Sequence, residues 1–288
     1  VTVGETTTYT ADLADALNKA ANGTTITLLA DIEWGVTSQD RAAITGDGKI
    51  VTLNLNGHTI TGGWLDVGSY DSPTSCTLKI IGEGSHESLR GIGGYSGVFP
   101  KATLDLSEWE GGTISAINIS DDSNVEKDNP SAREAAVIVG PKAGTIGKLT
   151  FGNNQLGELK KTKLSGGSFN EIWAADFGPV KLGELLAEGY AYQYTDGVDR
   201  FVEYTKTLQG ESIYNVKVVK CPHKEVNEGT CAYCNATGFA AQVTAADGSS
   251  SAYTDIAAAI AAAGGGTVKL LADAGEITIS SPLKLDLN

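Results

Sequence analysis

Three stretches decide the fold: Gly112-Thr113-Ile114-Ser115-Ala116-Ile117, Gly144-Thr145-Ile146-Gly147-Lys148-Leu149 and Gly167-Ser168-Phe169-Asn170-Glu171-Ile172. They follow one another at steps of 32 and 23 residues. Upstream, Leu53-Asn54-Leu55, Leu78-Lys79-Ile80 and Leu104-Asp105-Leu106 recur at steps of 25 and 26. Both series alternate apolar and polar residues, as strands with one buried face do. Turn formers bracket them, as in Asn56-Gly57, Gly82-Glu83-Gly84 and Gly152-Asn153-Asn154. No helical pattern lies between the strands. A wound α/β sheet would need a crossover helix of about a dozen residues after each.

Short strands, glycine corners and a period in the twenties predict an all-β solenoid. In such a fold no coil buries its own apolar face, and each stacks on the next. The expected ladders are Leu53 over Leu78 over Leu104 inside and Asn54 over Lys79 over Asp105 outside. A β-sandwich also shows short strands at regular spacing, but it does not call for that coil-to-coil register. An open end would expose core and unpaired edges. Residues 10–21 are expected to close the first end as a helix, capped by Thr10 or Asp12, lined by Leu13 and Leu17 and stopped by Asn22-Gly23. A short helical turn over Leu182 to Leu186 is expected before the far end. There a hairpin cap is expected from Gly189-Tyr190-Ala191-Tyr192-Gln193-Tyr194 through Asp196-Gly197 to Phe201-Val202-Glu203-Tyr204, with Tyr214 to Val219 closing the unit.

A longer repeat overlays the short one. Val1-Thr2, Asp12-Leu13 and Thr25-Ile26-Thr27-Leu28-Leu29-Ala30-Asp31 return as Val243-Thr244, Asp255-Ile256 and Thr267-Val268-Lys269-Leu270-Leu271-Ala272-Asp273. With Tyr9-Thr10 returning as Tyr253-Thr254, the offset stays between 242 and 244. Leu53-Asn54-Leu55-Asn56 is echoed by Leu285-Asp286-Leu287-Asn288. The chain therefore divides into a unit at 1–219, a linker at 220–238 and the start of a second, homologous unit at 239–288. That last part is expected to dock on the first unit's end or to seek the edge of another chain.

Composition narrows the function. Among 288 residues, 35 Asp and Glu outnumber 21 Lys and Arg, for a net charge of −14. Nucleic acid and anionic membranes attract basic patches, so neither is an expected partner. No apolar run approaches the roughly 20 residues of a membrane-spanning helix. Glycine is raised, at 36 residues, without a collagen period. Methionine is absent, and the chain reads as a processed product or a piece of something larger, with targeting signals outside it.

The clearest chemical signal is Cys221-Pro222-His223, followed after seven residues by Cys231-Ala232-Tyr233-Cys234. Three thiolates and an imidazole make a tetrahedral zinc set, and Cys-x2-Cys is a common half-site. Four protein ligands leave no open position for catalysis, so the zinc would be structural. It would hold a segment without apolar periodicity, helped by tight turns at Gly229 and Asn235. A Cys231–Cys234 or Cys221–Cys231 disulfide is the competing reading, and it leaves His223 unexplained. Cys76 alternates with Leu78 and Ile80 and is expected in the core.

Signs of polysaccharide chemistry are thin. The one dense acidic run, residues 121–128, lacks EF-hand spacing, so calcium has no support from it. Asp66, Asp71 and Asp105 are the acids that might align with it, and Arg90 is the one arginine near a coil corner. Trp64, after Gly62-Gly63, and Trp109, between two glutamates, are candidate sugar-stacking residues, with Asp121 and Asp122 beside them as candidate ligand-binding acids. Packing is the simpler role for each tryptophan, Trp34 and Trp173 included. His58 and His86 read as turn residues.

The Gly-Thr-Ile coils, the run from Gly166-Gly167-Ser168-Phe169 to Leu185-Leu186-Ala187-Glu188-Gly189-Tyr190-Ala191-Tyr192, and the Cys-x-His that follows resemble tandem right-handed parallel β-helix modules. Such modules occur in large cell-surface proteins of Gram-positive, often gut-dwelling, bacteria. The resemblance implies an exported scaffold or adhesin, presenting a face to glycans, to a host protein or to adjacent copies of the unit. It transfers no catalytic site. A carbohydrate-active lyase or hydrolase, or a carbohydrate-binding domain, is the alternative.

Overall fold

The computed structural model describes residues 2–3, 6–7, 9–35, 41–68, 74–87, 101–119, 135–152, 161–176 and 179–287. The protein is all-β, with two short α-helices and one 3-10 turn among the described residues.

Two ladders dominate. In the first, Thr24–Thr27, Ile50–Asn54, Thr77–Glu83 and the opening of Thr103–Ile119 pair in parallel, followed by Ala136–Val139 and Lys163–Leu164. In the second, Thr59–Thr61, Ser85–Glu87, residues 111–119, Ala143–Phe151 and Ser168–Ala174 pair in parallel. Each partner lies about one sequence period away, so neighbouring rungs repeat the same alternation. Inward positions fuse into one core that includes Ile26, Leu53, Leu78, Leu106, Ile146, Phe169 and Ile172. Burying a side chain of this kind contributes about 1.5–3 kcal/mol. Cys76 lies in this core, its thiol donating to the Ile44 carbonyl at 3.0 Å, and burial pushes the thiol up from its ordinary range.

The Gly-Thr-Ile series pairs as its spacing predicts: Ile114 beside Ile146 beside Phe169, and Ile117 beside Leu149 beside Ile172. In the upstream series Leu104 lies beside Leu78 and Asp105 beside Lys79, whereas Leu78 meets Val51 and Leu53 meets Ile80. The expected alignment of Leu53 and Asn54 is thus displaced by two residues. A two-residue shift preserves which side chains face inward, so the apolar pattern alone cannot oppose it.

Helix α1 spans Leu13–Lys19, and the Asp12 carboxylate caps it by accepting from the Asp15 N–H. At the other end the expected hairpin forms, and the strand holding Tyr214 to Val219 closes the unit. Tyr190–Tyr194 pairs antiparallel with Glu211–Lys220, which itself pairs antiparallel with Ser168–Ala174. Residues 200–202 fold back on Tyr190–Tyr194 as expected, with Tyr194 N–H on Arg200 O at 3.1 Å, Val202 N–H on Tyr192 O at 2.9 Å and Phe201 bridging Gln193. Reversing strand direction ends the parallel stack, and the longer strand supplies more ladder bonds than residues 201–204 could. Leu182–Leu185 forms the expected helical turn, in 3-10 geometry.

The 242-residue repeat is structural as well as sequential. Thr2 pairs with Thr25, and Thr244 pairs with Thr267, both antiparallel. Ile26 lies beside Leu53 and Val268 beside Leu285, both parallel. Helix α2, Ile256–Ala262, is capped by Asp255 accepting from Ala258 N–H, as Asp12 caps α1. Residues Ala241, Val243, Ala259, Ala263, Val268 and Leu270 form a separate small core.

Candidate metal centre

The segment between the repeats folds around its cysteines. Val226–Asn227 and Thr230–Cys231 form a hairpin. Its two turn residues, Glu228 and Gly229, both have positive φ, 47° and 74°, as a tight type I′ turn requires. A second turn reverses at Asn235, where φ is 57°, and closes with the Asn235 N–H on the Cys231 carbonyl at 3.0 Å. These turns bring Cys231 and Cys234 back onto Cys221 and His223. The expected turn positions Gly229 and Asn235 are both used.

The four ligand atoms lie within 4.8 Å of one another. Cys221 Sγ and Cys231 Sγ are 3.5 Å apart, and Cys234 Sγ is 3.4 Å from His223 Nδ1. Donors around a tetrahedral ion with bonds of about 2.3 Å stand about 3.8 Å apart, so the set is close enough to bind a metal. All three cysteines are free thiols here, and the Cys221–Cys231 gap far exceeds the roughly 2.05 Å of a disulfide. Without a cation the thiols divide unequally. Hydrogen bonds from Cys221 and then Cys234 push Cys231 far down, favouring its thiolate, while Cys231 and then Cys234 push Cys221 far up. A bound cation removes that conflict by stabilising every thiolate at once.

The centre is also a seam. Cys221, Cys231, Val226 and Phe239 share one apolar cluster with Ala191 from the first unit's far end, and Leu271 and Ala252 of the second repeat pack against it. Backbone bonds reach both ways: Tyr204 N–H to Ala232 O at 2.8 Å, Cys221 N–H to Gly189 O at 2.8 Å, and Leu271 N–H to Ala240 O at 2.8 Å. The His223 ring rests on Phe239, with centroids 4.8 Å apart, and Phe201 stacks on Tyr233. Sequence reading found the ligands and missed this cluster, because its apolar residues come from distant segments with no common period.

The other candidate residues among those described are not assembled into a site. Trp109 is fully buried and its indole N–H donates to the Gly84 carbonyl at 2.9 Å. A register shift between Asp105 and Glu108 turns it inward despite its flanking glutamates. Trp64 is also buried, at the head of strand Trp64–Val67. Both therefore take the packing role that is simpler for a tryptophan, and neither offers a sugar-stacking surface as a candidate ligand-binding residue. Asp66 is buried and ion-paired with Arg41, and Asp105 faces Lys79 at 3.9 Å. Asp121 and Asp122, together with Asp71 and Arg90, lie outside the described residues.

His58 does occupy a corner, its Nδ1 3.2 Å from Asp31. His86 does not. It lies in a strand, in register between Ile60 and Ile114, with Nε2 buried and unpartnered among the described residues. Burial drives its pKa down to about 4.

A groove of about 510 Å³ runs over the corner glycines Gly57, Gly84, Gly111 and Gly112. Glu83 and Glu110 sit on adjacent rungs beside it, and Lys142 holds Glu110 at 2.9 Å. No described helix is long and apolar enough to cross a membrane. Comparison with protein-family models, with curated proteins and with solved structures returns no match.

Proposed function

We propose that the protein is a non-catalytic, extracellular scaffold or adhesin module. In this reading residues 1–219 form a right-handed parallel β-helix, residues 220–238 form a clamp closed by structural zinc, and residues 239–288 begin the next homologous unit. The setting is the surface of a Gram-positive-type bacterium. The module's partners are a glycan or surface protein and its own neighbouring units.

One observation carries the reading. The pairing of Thr2 with Thr25 recurs as Thr244 with Thr267 on the far side of a Cys3His cluster. A metal site packed between two copies of one fold element joins rather than reacts. With four protein donors, zinc has no open position for substrate or water. Ladders of parallel strands at one period support the β-helix reading, because stacking is the way such strands bury their inner faces.

The alternative, a carbohydrate-active enzyme, is favoured only by Glu83 and Glu110 lying side by side. Hydrolases do use paired carboxylates, yet Lys142 engages one of these and neither is enclosed. The test is to assay the full chain against neutral and uronic-acid polysaccharides, with and without calcium, alongside elemental analysis. The expected result is about one zinc per chain and no turnover. Turnover would overturn the scaffold reading, and zinc below about a tenth of an equivalent in unchelated protein would overturn the clamp.

A further inference from the structure

Of the four tryptophans, Trp34, Trp64 and Trp109 are buried, and only Trp173 is partly open to solvent. It lies between buried Ile172 and Ala174 on the strand Ser168–Ala174, so it faces outward from the second ladder. Directly opposite on the next strand is Ser212, a side chain too small to cover an indole. Two residues further along that strand Tyr214 is 56% exposed, opposite Glu171. Diagonal neighbours in an antiparallel pair stand about 7–8 Å apart, which puts the two aromatic side chains within the span of one or two sugar rings.

The polar groups between them are ordered. Glu171 accepts from Ser212 Oγ at 2.7 Å and pairs with Lys148 at 3.1 Å. Burial works against the Glu171 carboxylate, but the bonds from Ser212 and Lys148 hold its pKa below the ordinary value. The Lys148 ammonium also lies over the Trp173 ring, 5.4 Å from its centroid, a cation–π contact that holds the indole beside the Glu171 carboxylate.

We propose that this face, formed by Trp173, Tyr214, Glu171, Ser212 and Lys148, is a stacking shelf for a neutral glycan. Aromatic faces take the C–H side of a pyranose, and the fixed carboxylate, hydroxyl and ammonium between them offer acceptors and donors to its hydroxyls. Neutrality follows from charge. Lys148 and Glu171 cancel each other, and a chain of net charge −14 repels a polyuronate. The inference deepens the scaffold reading by giving its presented face a ligand class.

The test uses the full chain. Neutral glucans, galactans, mannans and N-acetylated oligosaccharides, and separately a polyuronate, are titrated while tryptophan fluorescence is followed. Because Trp173 is the one partly exposed indole, a bound neutral sugar is expected to shift the emission, and Trp173→Phe to remove the shift. Tyr214→Ala changes an exposed side chain and is expected to weaken binding about three- to tenfold, with thermal midpoint and metal content unchanged. The proposal is overturned if no neutral glycan binds the folded protein, if Tyr214→Ala leaves affinity unchanged, or if the polyuronate binds as well. Light scattering that revealed Tyr214-dependent self-association instead would assign the face to a second copy. Each of these failures leaves the scaffold reading standing, since that reading falls on catalytic turnover.

Discussion

Cys234 Sγ lies 3.4 Å from His223 Nδ1, across eleven positions of sequence. Two reversals of the chain make that approach, one through the Glu228-Gly229 turn and one at Asn235, and His223 itself holds a positive φ of 50°. Backbone of this kind is costly for residues other than glycine, about 1 kcal/mol or more each. The segment has only a small apolar cluster to offset it, and a metal held by the four donors would add the missing stability.

Removing a ligand should therefore loosen the seam before the ladders. On the proposed zinc clamp, Cys234→Ser is expected to lower bound zinc from about one equivalent to under half. Hydrogen exchange at the Tyr204 and Leu271 amides, which bond to Ala232 and Ala240, should speed up tenfold or more, about 1.4 kcal/mol of lost protection. Amides of Ile146 and Phe169 in the ladder should not change. Uniform loss of protection across all four amides would contradict a local clamp.

His86 makes stability depend on pH in a defined direction. Its folded pKa is about 4 against 6.5 unperturbed, chiefly through burial, with a hydrogen bond at the Gly62 backbone partly opposing. The unfolded chain takes up the proton as pH falls below about 6.5, while the folded chain resists until about 4. Stability from this group is thus complete above the upper value and falls across that window, by at most about 3 kcal/mol. Comparing urea midpoints at pH 7 and pH 4.5, His86→Leu should lose much of the acid sensitivity. An unchanged pH slope in the variant would show that the ring is solvated.

Corner glycines differ in what they tolerate. A Cβ at Gly112 would press into the Gly84 carbonyl of the preceding rung, and Gly112 also has a φ of 74°. Its neighbour Gly111 has a φ of 64° but nothing within 4 Å of that position. Gly112→Ala should cost about 2–4 kcal/mol, combining strain with overpacking, and Gly111→Ala only about 1. Equal costs in denaturant titration would mean that rung-to-rung approach is not the constraint.

The two helix caps provide a test of independence between the repeats. Asp12→Ala and Asp255→Ala each remove a carboxylate that accepts the N–H three residues on, a loss of about 1 kcal/mol. Exchange should accelerate around α1 in the first variant and around α2 in the second. If Asp255→Ala also weakens protection in the ladders, the two cores form one cooperative unit.

Much of this arrangement was legible in the residues, and the exceptions have specific causes. The Gly-Thr-Ile rungs align as their spacing indicates because each begins at a corner that sets the register. The Leu53 rung is displaced by two because alternation has period two and cannot see such a shift. Trp109, between Glu108 and Glu110, was open to exposure on local grounds with packing the simpler role, and an irregularity in the strand rotates it into the core. His86 reads as a turn residue within Ser85-His86-Glu87, yet it occupies a strand rung between two isoleucines. In both cases a local polar neighbourhood pointed one way and strand parity decided the other.

What the sequence determined by itself is whatever depends on local chemistry and repetition: an all-β chain, glycine corners, a first helix whose Asp12-Leu13 start returns 243 residues later, and four metal-type ligands. Tertiary structure alone decided which side chains meet across rungs. It buried Trp109 and left Trp173 and Tyr214 outward, and it packed the Cys3His segment between two cores. Those outcomes rest on strand register and chain direction. Both are set by hydrogen bonding between segments 20 to 40 residues apart, for which no single stretch of sequence carries the information.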